Sequence, residues 1–345
     1  MRRHWRGGVA AAVTLSSQVR GLRLMVGAAG KGEPSKVRGE DAFCADARIS
    51  FVGVADGVGG SKSEKVDPGE FSRRLLAWCH RHAATETAAS ATQKARESCA
   101  VDEVAKKGGS STLLVAKLAN ETLEVCNFGD SAALLLRPSV QSFGSFKLVA
   151  RPVLRTSAQT YGFNAPYQAS SQDAFDDAWM TMTMGYAQEP DALSARAKVG
   201  DVCVLGTDGL WDNVSDELVT RIVTSQIPLI WAAAARQNCL WEPEKPREEV
   251  LKRLAAMDAS SSRAPVAQVL EDLAHILVDC ACQIYSDPTT KVTPFSMEAN
   301  KAGYAYKGGK PDDVSVVVGL VVPDDAELPP QSLLHNFDDC GLSPS

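Results

Sequence analysis

Apolar residues along the chain follow two periods, and their alternation predicts a protein of mixed helices and strands. The stretches 49–55, 202–206 and 314–322 are short, nearly continuous apolar runs rich in valine. Runs of that length bounded by turn residues predict strands buried on both faces. Stretches 111–118 and 122–128 flank Ala119-Asn120-Glu121 and predict a hairpin, and 132–137 resumes as a strand after Gly129-Asp130-Ser131. The helical period follows Asp67-Pro68-Gly69-Glu70, which supplies an N-cap, a proline for the first turn and a capping-box acid. Phe71, Leu75, Trp78 and Cys79 then make one apolar face. Ser215, with Asp216 and Glu217, starts a helix carrying Leu218, Val219, Ile222 and Val223. Val266, Val269, Leu270, Leu273, Ile276 and Leu277 mark a third, core-facing helix.

The remaining segments have weaker patterns. The Ala-rich stretch 83–107 reads as a solvated helix, and 139–192, rich in Ser, Gln and Pro, as loops with short strands. Stretch 226–263 is charged and interrupted by Pro243 and Pro246, which predicts an inserted cap. With no internal repeat and no second core, one domain over 22–323 is expected, followed by a disordered tail over 324–345. The 345 residues are 45% hydrophobic, enough for a substantial core.

Charge and cysteine usage narrow the classes. A net charge of −6 argues against a nucleic-acid-binding surface. Nine cysteines without paired spacing predict reduced thiols rather than a disulfide framework, and Cys280-Ala-Cys282 is too close for a zinc knuckle. Residues 1–32 contain Arg2, Arg3, Arg6, Arg20, Arg23 and Lys31 and no acid. Such composition suits an organelle presequence, placed at 1–21; the other reading is a disordered basic tail. No apolar stretch approaches the roughly 18 residues of a membrane helix, so no transmembrane segment is expected.

The candidate chemistry lies where apolar runs break into turns. Acids cluster at Glu40-Asp41, Asp56-Gly57, Gly129-Asp130-Ser131, Asp208 with Asp212, and Asp312-Asp313. Each alone is an ordinary turn or cap. Together, most end or follow a strand, which fixes their direction, and hard divalent cations take such oxygen ligands. Burying that many carboxylates side by side is prohibitive without cations.

Glu40-Asp41-Ala, Val54-Ala-Asp56-Gly57-Val-Gly-Gly60, Gly109-Ser-Ser-Thr112, Gly129-Asp130-Ser131, Thr207-Asp208-Gly-Leu-Trp-Asp212-Asn213 and Lys310-Pro-Asp312-Asp313-Val-Ser-Val resemble, in order, the metal-dependent (type 2C, PPM) serine/threonine phosphatases over residues 36–322. Asp67-Pro-Gly-Glu-Phe71-Ser-Arg and Phe163-Asn-Ala-Pro-Tyr-Gln168 resemble that family's mitochondrial branch. The resemblance implies an α+β fold, a four-layer α-β-β-α sandwich with metals at one edge. It implies that Asp56 bridges two Mg²⁺ or Mn²⁺ ions, with the Gly57 carbonyl as a further ligand. Asp208 and Asp312 would hold the first ion, Glu40 would support the second partly through water, and Asp130 and Asp212 match positions for a weaker third. Two such ions lower the pKa of a bridging water, and the hydroxide attacks phosphorus in line without a protein nucleophile.

Two departures from the family pattern stand out. Val58 replaces a His that many relatives carry after Asp-Gly as general acid, leaving a metal-bound water, His80 or His82 to serve. The plain reading of both histidines is exposed helix surface. Lys36 occupies the place of a phosphate-gripping Arg, with Arg38 two residues nearer Glu40. Gly57-Val-Gly-Gly60-Ser-Lys-Ser63 lacks the Gly-Lys-Ser/Thr order of a phosphate loop, and Asp56 to Gly60 lacks an EF-hand's alternating ligands. The expected protein is a monomeric phosphatase of phosphoserine and phosphothreonine proteins, mitochondrial, with plastid or cytoplasm as alternatives. An inactive phosphatase-like binding protein and a small-molecule phosphoesterase are the competing readings.

Overall fold

In the computed structural model, which describes residues 21–36, 38–59, 67–143, 145–171, 189–237, 239 and 264–337, every named strand pairing is antiparallel. The strands are β1 (Leu22–Lys31), β2 (Ala42–Asp46), β3 (Phe51–Ala55), β4 (Ser110–Ser111), β5 (Leu113–Ala119), β6 (Thr122–Phe128), β7 (Ala132–Phe143) and β8 (Ser145–Arg155). They continue with β9 (Thr160–Gly162), β10 (Ala165–Pro166), β11 (Ala169–Ser170), β12 (Asp191–Arg196), β13 (Val202–Gly206), β14 (Val314–Pro323) and β15 (Leu333–His335). The helices are α1 (Pro68–Ala83), α2 (Ala88–Val101), α3 (Asp208–Trp211), α4 (Asp216–Arg236), α5 (Val266–Ser286) and α6 (Pro294–Lys301). One sheet runs β1-β14-β13-β7-β8 and the other β12-β6-β5-β3-β2-β15.

Period-two alternation sorts the strand side chains into separate apolar layers. Along β14, Val314, Val316, Val318, Leu320 and Val322 face α4 and α5, while Val317 and Val321 face the second sheet. In β13, Val202 and Val204 turn to the helices and Cys203 and Leu205 to the other sheet. The second sheet mirrors this: Phe51 and Ala55 of β3 pack under α1 and α2, and Val52 and Val54 pack between the sheets. Three apolar layers thus join four structural layers, the α-β-β-α order expected from the resemblance. Strands buried on both faces explain why β13 and β14 read as unbroken apolar runs.

Helix starts follow the local chemistry. The Asp67 side chain accepts from Gly69 N–H and Pro68 opens α1; the Ser215 side chain accepts from Leu218 N–H at α4. In α5, Leu270, Leu273 and Leu277 are fully buried, but Ile276 is 40% exposed, one position off the core face. By length and composition alone α4 is apolar enough to cross a membrane. Its Val219, Val223, Ile227 and Ile230 are instead fully buried in the layer over the first sheet.

Several expectations need correction. The acid-poor run 1–32 extends past the expected presequence at 1–21: its end, β1, pairs with β14 over its whole length. Residues 1–20 lie outside the described residues. Stretch 83–107 contains α2, whose Ala91, Ala95 and Cys99 are fully buried rather than solvated. The weakly patterned 139–192 includes most of the long β7–β8 hairpin. The expected insert 226–263 begins inside α4, so 226–236 is core helix; 238 and 240–263 lie outside the described residues. The tail is not disordered up to 337: β15 extends the second sheet beside β2, and Phe337 is fully buried. Residues 338–345 lie outside the described residues.

The closeness of the layers depends on Gly27 in β1. A Cβ there would lie 2.3 Å from Glu271 N and 2.4 Å from the Leu270 carbonyl carbon, both backbone atoms of α5. Gly27→Val is expected to destabilise the protein by about 3 kcal/mol or more, because the helix must lift off the sheet. Equilibrium urea unfolding of the variant checks this.

Candidate metal centre

Strand register brings the predicted acids to one edge of the sandwich. Ala42, the first residue of β2, pairs with Ala55, the last of β3, so Glu40 and Asp41 arrive beside Asp56. Gly206 at the end of β13 pairs with Ala132 at the start of β7 and with Val316 near the start of β14. Asp208, the Gly129-Asp130-Ser131 turn and Asp312-Asp313 therefore converge on the same edge.

The tightest group is Asp56, Asp130 and Asp208, each offering a carboxylate oxygen within 4.8 Å of the others. Asp212 and Asp312 gather on a different partner, Lys310. Its ammonium lies 2.5 Å from Asp208 Oδ2, 2.9 Å from Asp212 Oδ2 and 3.1 Å from Asp312 Oδ2. Glu40, 5% exposed, accepts from Lys36 Nζ at 2.7 Å. The same ammonium reaches Asp313 Oδ2 at 2.9 Å and stands 3.8 Å from Asp312 Oδ1. Lys36 thus sits among carboxylates, and Arg38 is exposed on the same loop. The Gly57 N–H donates to the Glu40 carbonyl, and a Cβ at 57 would lie 2.7 Å from the carbonyl oxygens of both Glu40 and Pro68.

Neither candidate histidine is at this edge. His80 is buried, with Nε2 2.9 Å from Asp46 Oδ2 at the far end of β2 and its ring edge-on to Phe51. The expectation of an exposed His80 fails because Asp46, 1% exposed, needs a partner inside the sheet–helix layer. His82 is half-buried, 2.9 Å from Ser98 Oγ and stacked on Trp78.

Several positioning residues were not legible as such. Ser111 and Thr112 pin the end of β3: Ser111 Oγ and Thr112 N–H both donate to the Asp56 carbonyl, and Asp56 N–H donates to Thr112 Oγ1. Thr112 Oγ1 also lies 3.1 Å from Ser131 Oγ, joining this knot to the Asp130 turn. Gly129, at φ 119°, lets that turn pass within contact of Thr112. Thr207 donates to Asp41 Oδ2 at 2.8 Å and accepts from Ser315 N–H. A Cβ on Gly209 would lie 1.9 Å from the Asp313 carbonyl, so only glycine can follow Asp208 here. Asp313, absent from the candidate ligands, accepts from Glu33 N–H at 2.6 Å and Glu40 N–H at 2.7 Å and so fixes the loop carrying Glu40. Its sign in the sequence was only its adjacency to Asp312.

The electrostatics are those of crowded acids. Burial, then repulsion from Asp208, Asp41, Asp312 and Asp130, pushes the Asp56 carboxyl well above the ordinary range. Burial and Asp208 with Asp212 push Asp130 the same way. Burial raises Asp212 to about 7 and Asp312 to about 6, even against the favourable Lys310 charge. Burial alone would lower the Lys310 ammonium, but Asp208, Asp212 and Asp312 together hold it far above its usual range. Asp41 Oδ1, Asp130 Oδ1 and Asp208 Oδ1 are buried without a hydrogen-bond partner. Unpartnered buried carboxylate oxygens in a repelling group are the donor set a divalent cation satisfies, and the residues fit Mg²⁺ or Mn²⁺ in kind.

Comparison with known proteins finds phosphatases among the relatives. No family model matches the chain. It is 28% identical over 319 residues to Probable protein phosphatase 2C 80 of Arabidopsis thaliana, covering 89% of this chain. It is 28% identical over 292 residues to Protein phosphatase PTC7 homolog of Xenopus laevis, covering 82% of this chain and 81% of that protein. The plant relatives are longer, and the chain spans between 42% and 61% of their lengths. The X-ray structure of the photosystem II phosphatase PBCP shares the fold, with a TM-score of 0.58 at 22% identity over 86% of this chain and 98% of that one.

The raised carboxyl groups set the pH response of metal-free protein. Acids whose folded pKa exceeds the unfolded value bind protons more tightly when folded, so their contribution weakens as pH rises from about 4 through about 7. EDTA-treated protein is therefore expected to melt higher near about pH 5 than near about pH 8, and saturating Mn²⁺ to restore stability on the alkaline side. Thermal melts across that range provide the check.

Proposed function

We propose that the chain is a metal-dependent (type 2C, PPM) protein serine/threonine phosphatase requiring Mg²⁺ or Mn²⁺, a reading that its similarity to protein phosphatase 2C relatives supports. The observation that carries the reading is the convergence of Asp56, Asp130 and Asp208 from three distant turns, with Asp312 beside them. Residues 22–323 form the phosphatase domain in this reading. Asp56, Asp208, Asp312 and Glu40, with the Gly57 carbonyl, would hold the ions. Bound there, the ions would supply positive charge for phosphoryl oxygens and make water acidic enough to attack phosphorus at neutral pH.

The chain's own residues do the rest. The Ser111–Thr112 knot and the Asp313 anchor hold the carboxylates in fixed directions, so little reorganisation is needed when substrate arrives. Lys36, 23% exposed at its side chain beside Glu40, is the candidate phosphate grip, with Arg38 next to it on the outer loop. Phosphoserine and phosphothreonine proteins are the substrates, and the phosphatase acts as a monomer in this reading. The complete acid set weighs against an inactive binding protein. Location in the mitochondrion is supported by the acid-free residues 1–21, which carry Arg2, Arg3, Arg6 and Arg20, and by the PTC7 homologues among the relatives, a mitochondrial branch.

Purified protein is expected to hydrolyse p-nitrophenyl phosphate and phosphothreonine peptides with Mn²⁺, and EDTA to abolish both. Asp208→Asn is expected to lower kcat/KM by about a hundredfold or more while leaving the far-ultraviolet circular dichroism unchanged. Wild-type turnover in that variant would defeat the assignment. Hydrolysis of small phosphoesters without phosphopeptides would favour the small-molecule reading.

A further inference from the structure

A cluster of aromatic rings stands at the same edge as the acids and takes no part in the chemistry above. It joins two segments far apart in the chain. Phe163, in the turn between β9 and β10, is stacked on Tyr304 with centroids 5.2 Å apart, and lies 5.3 Å from Phe295 of α6. Tyr306 meets Phe295 edge-on at 4.9 Å. Each segment is tied to backbone beside a candidate ligand. On one side, Gln159 N–H donates to the Gly129 carbonyl at 2.8 Å and Tyr167 N–H to the Gln159 carbonyl, so the β9–β10 hairpin springs from the Asp130 turn. On the other, Phe295 N–H donates to the Asp212 carbonyl at 2.9 Å. Phe295 packs inward at 9% exposure, but Tyr304 is 59% exposed and Tyr161, on β9, 56%. Packing accounts for the inner ring and leaves the outer residues open to solvent beside the acids.

We infer that this aromatic platform selects the substrate: it takes an apolar or aromatic side chain of the phosphoprotein about three residues from the phosphorylated position. The inference rests on the phosphatase reading above and adds to it which sequences are cut. A phosphoryl group held at the acids leaves its peptide to run outward, and the hairpin and α6 flank the Asp130 and Asp212 side of that path. From Phe295, whose centroid lies 5.3 Å from the Lys310 ammonium, ring-to-ring steps of 5.3 and 5.2 Å lead out to Tyr304. About three residues of extended peptide, at roughly 3.3 Å each, cover that span. The rings already hold one another, so little order is lost when an apolar side chain docks on them. The occupant is substrate rather than a second copy of the chain, because a permanent partner at this edge would close the site to phosphoproteins.

Phosphothreonine peptides built of Ser and Gly, with a single Leu or Phe moved through each neighbouring position, test this on the full chain in Mn²⁺. Wild type is expected to favour one register, about three residues out, with kcat/KM about tenfold above the all-polar parent and the gain lying in KM. Tyr304→Ala, at an exposed position, should lose that preference while cleaving the all-polar peptide at the wild-type rate, and Tyr304→Phe should keep it. A flat profile from wild-type protein that is active on p-nitrophenyl phosphate would overturn the inference. So would a preference that survives Tyr304→Ala combined with Phe163→Ala, or an equal loss on the all-polar peptide, which marks a structural role. Wild type that sediments as a dimer and Tyr304→Ala as a monomer would give the platform to a second copy and overturn it too. Wild-type protein inactive on p-nitrophenyl phosphate and on every peptide would overturn the phosphatase reading itself, a different result from any of these.

Discussion

Repulsion among carboxylates held at one sheet edge is the constraint around which the rest of the molecule is arranged. Asp56, Asp130, Asp208, Asp212 and Asp312 stand close enough that burial and mutual charge raise the proton affinity of four of them. A chain that only needed to fold would separate such groups or pair each with an arginine. Here the cluster is kept, and the two lysines that enter it, Lys36 and Lys310, touch opposite oxygens of Asp312. The cluster is intelligible as a cation-binding device and costly as anything else.

What keeps the acids from splaying apart is the rigidity of the strand ends and the ties made just beyond them. The central strands are locked between two apolar layers, so their ends have little freedom. Beyond those ends the chain is tied by hydroxyl groups: Ser111 and Thr112 to Asp56, Thr112 to Ser131, Thr207 to Asp41. Glycines permit the close crossings, above all Gly209 against the Asp313 carbonyl and Gly57 between Glu40 and Pro68. The sequence motifs thus divide into acids that present oxygen and small residues that let separate turns meet.

Much of this was legible in the sequence because strands buried on both faces leave an unmistakable apolar run that stops at an acid. β3, β13 and β14 could be read in that way, as could the Asp67 and Ser215 caps. The misreadings have common physical causes. β1 was hidden because Arg23 and Lys31 at its ends gave its neighbourhood the look of a basic leader. α2 is built largely from alanine and buries its face without large side chains, so it resembled a solvated helix. The role of Asp313 was illegible because hydrogen bonds to Glu33 and Glu40, some 280 and 273 positions away, depend on tertiary closure. His80 could not be placed because its partner Asp46 lies on another element.

The placement of the histidines also bears on how a leaving alkoxide would be protonated. Val58, following Asp56-Gly57, has no proton to give. His80 is held on Asp46 at the opposite end of β2, and His82 on Ser98. His275 is exposed on α5, on the outer helical layer, and His335 on β15 stacks on Phe337 opposite Cys44 of β2. Among the described residues, then, the cluster offers carboxyl groups and two ammonium groups but no imidazole. Both ammoniums are hydrogen-bonded to carboxylates and held far above their usual proton affinity, which makes them poor acids near neutrality. With the carboxyl groups committed to the ions in the proposed reading, the leaving-group proton is best supplied by solvent within the site. Such a mechanism places its demand on the leaving group, so turnover in this chain should depend more steeply on leaving-group acidity than in a relative that carries an imidazole at position 58.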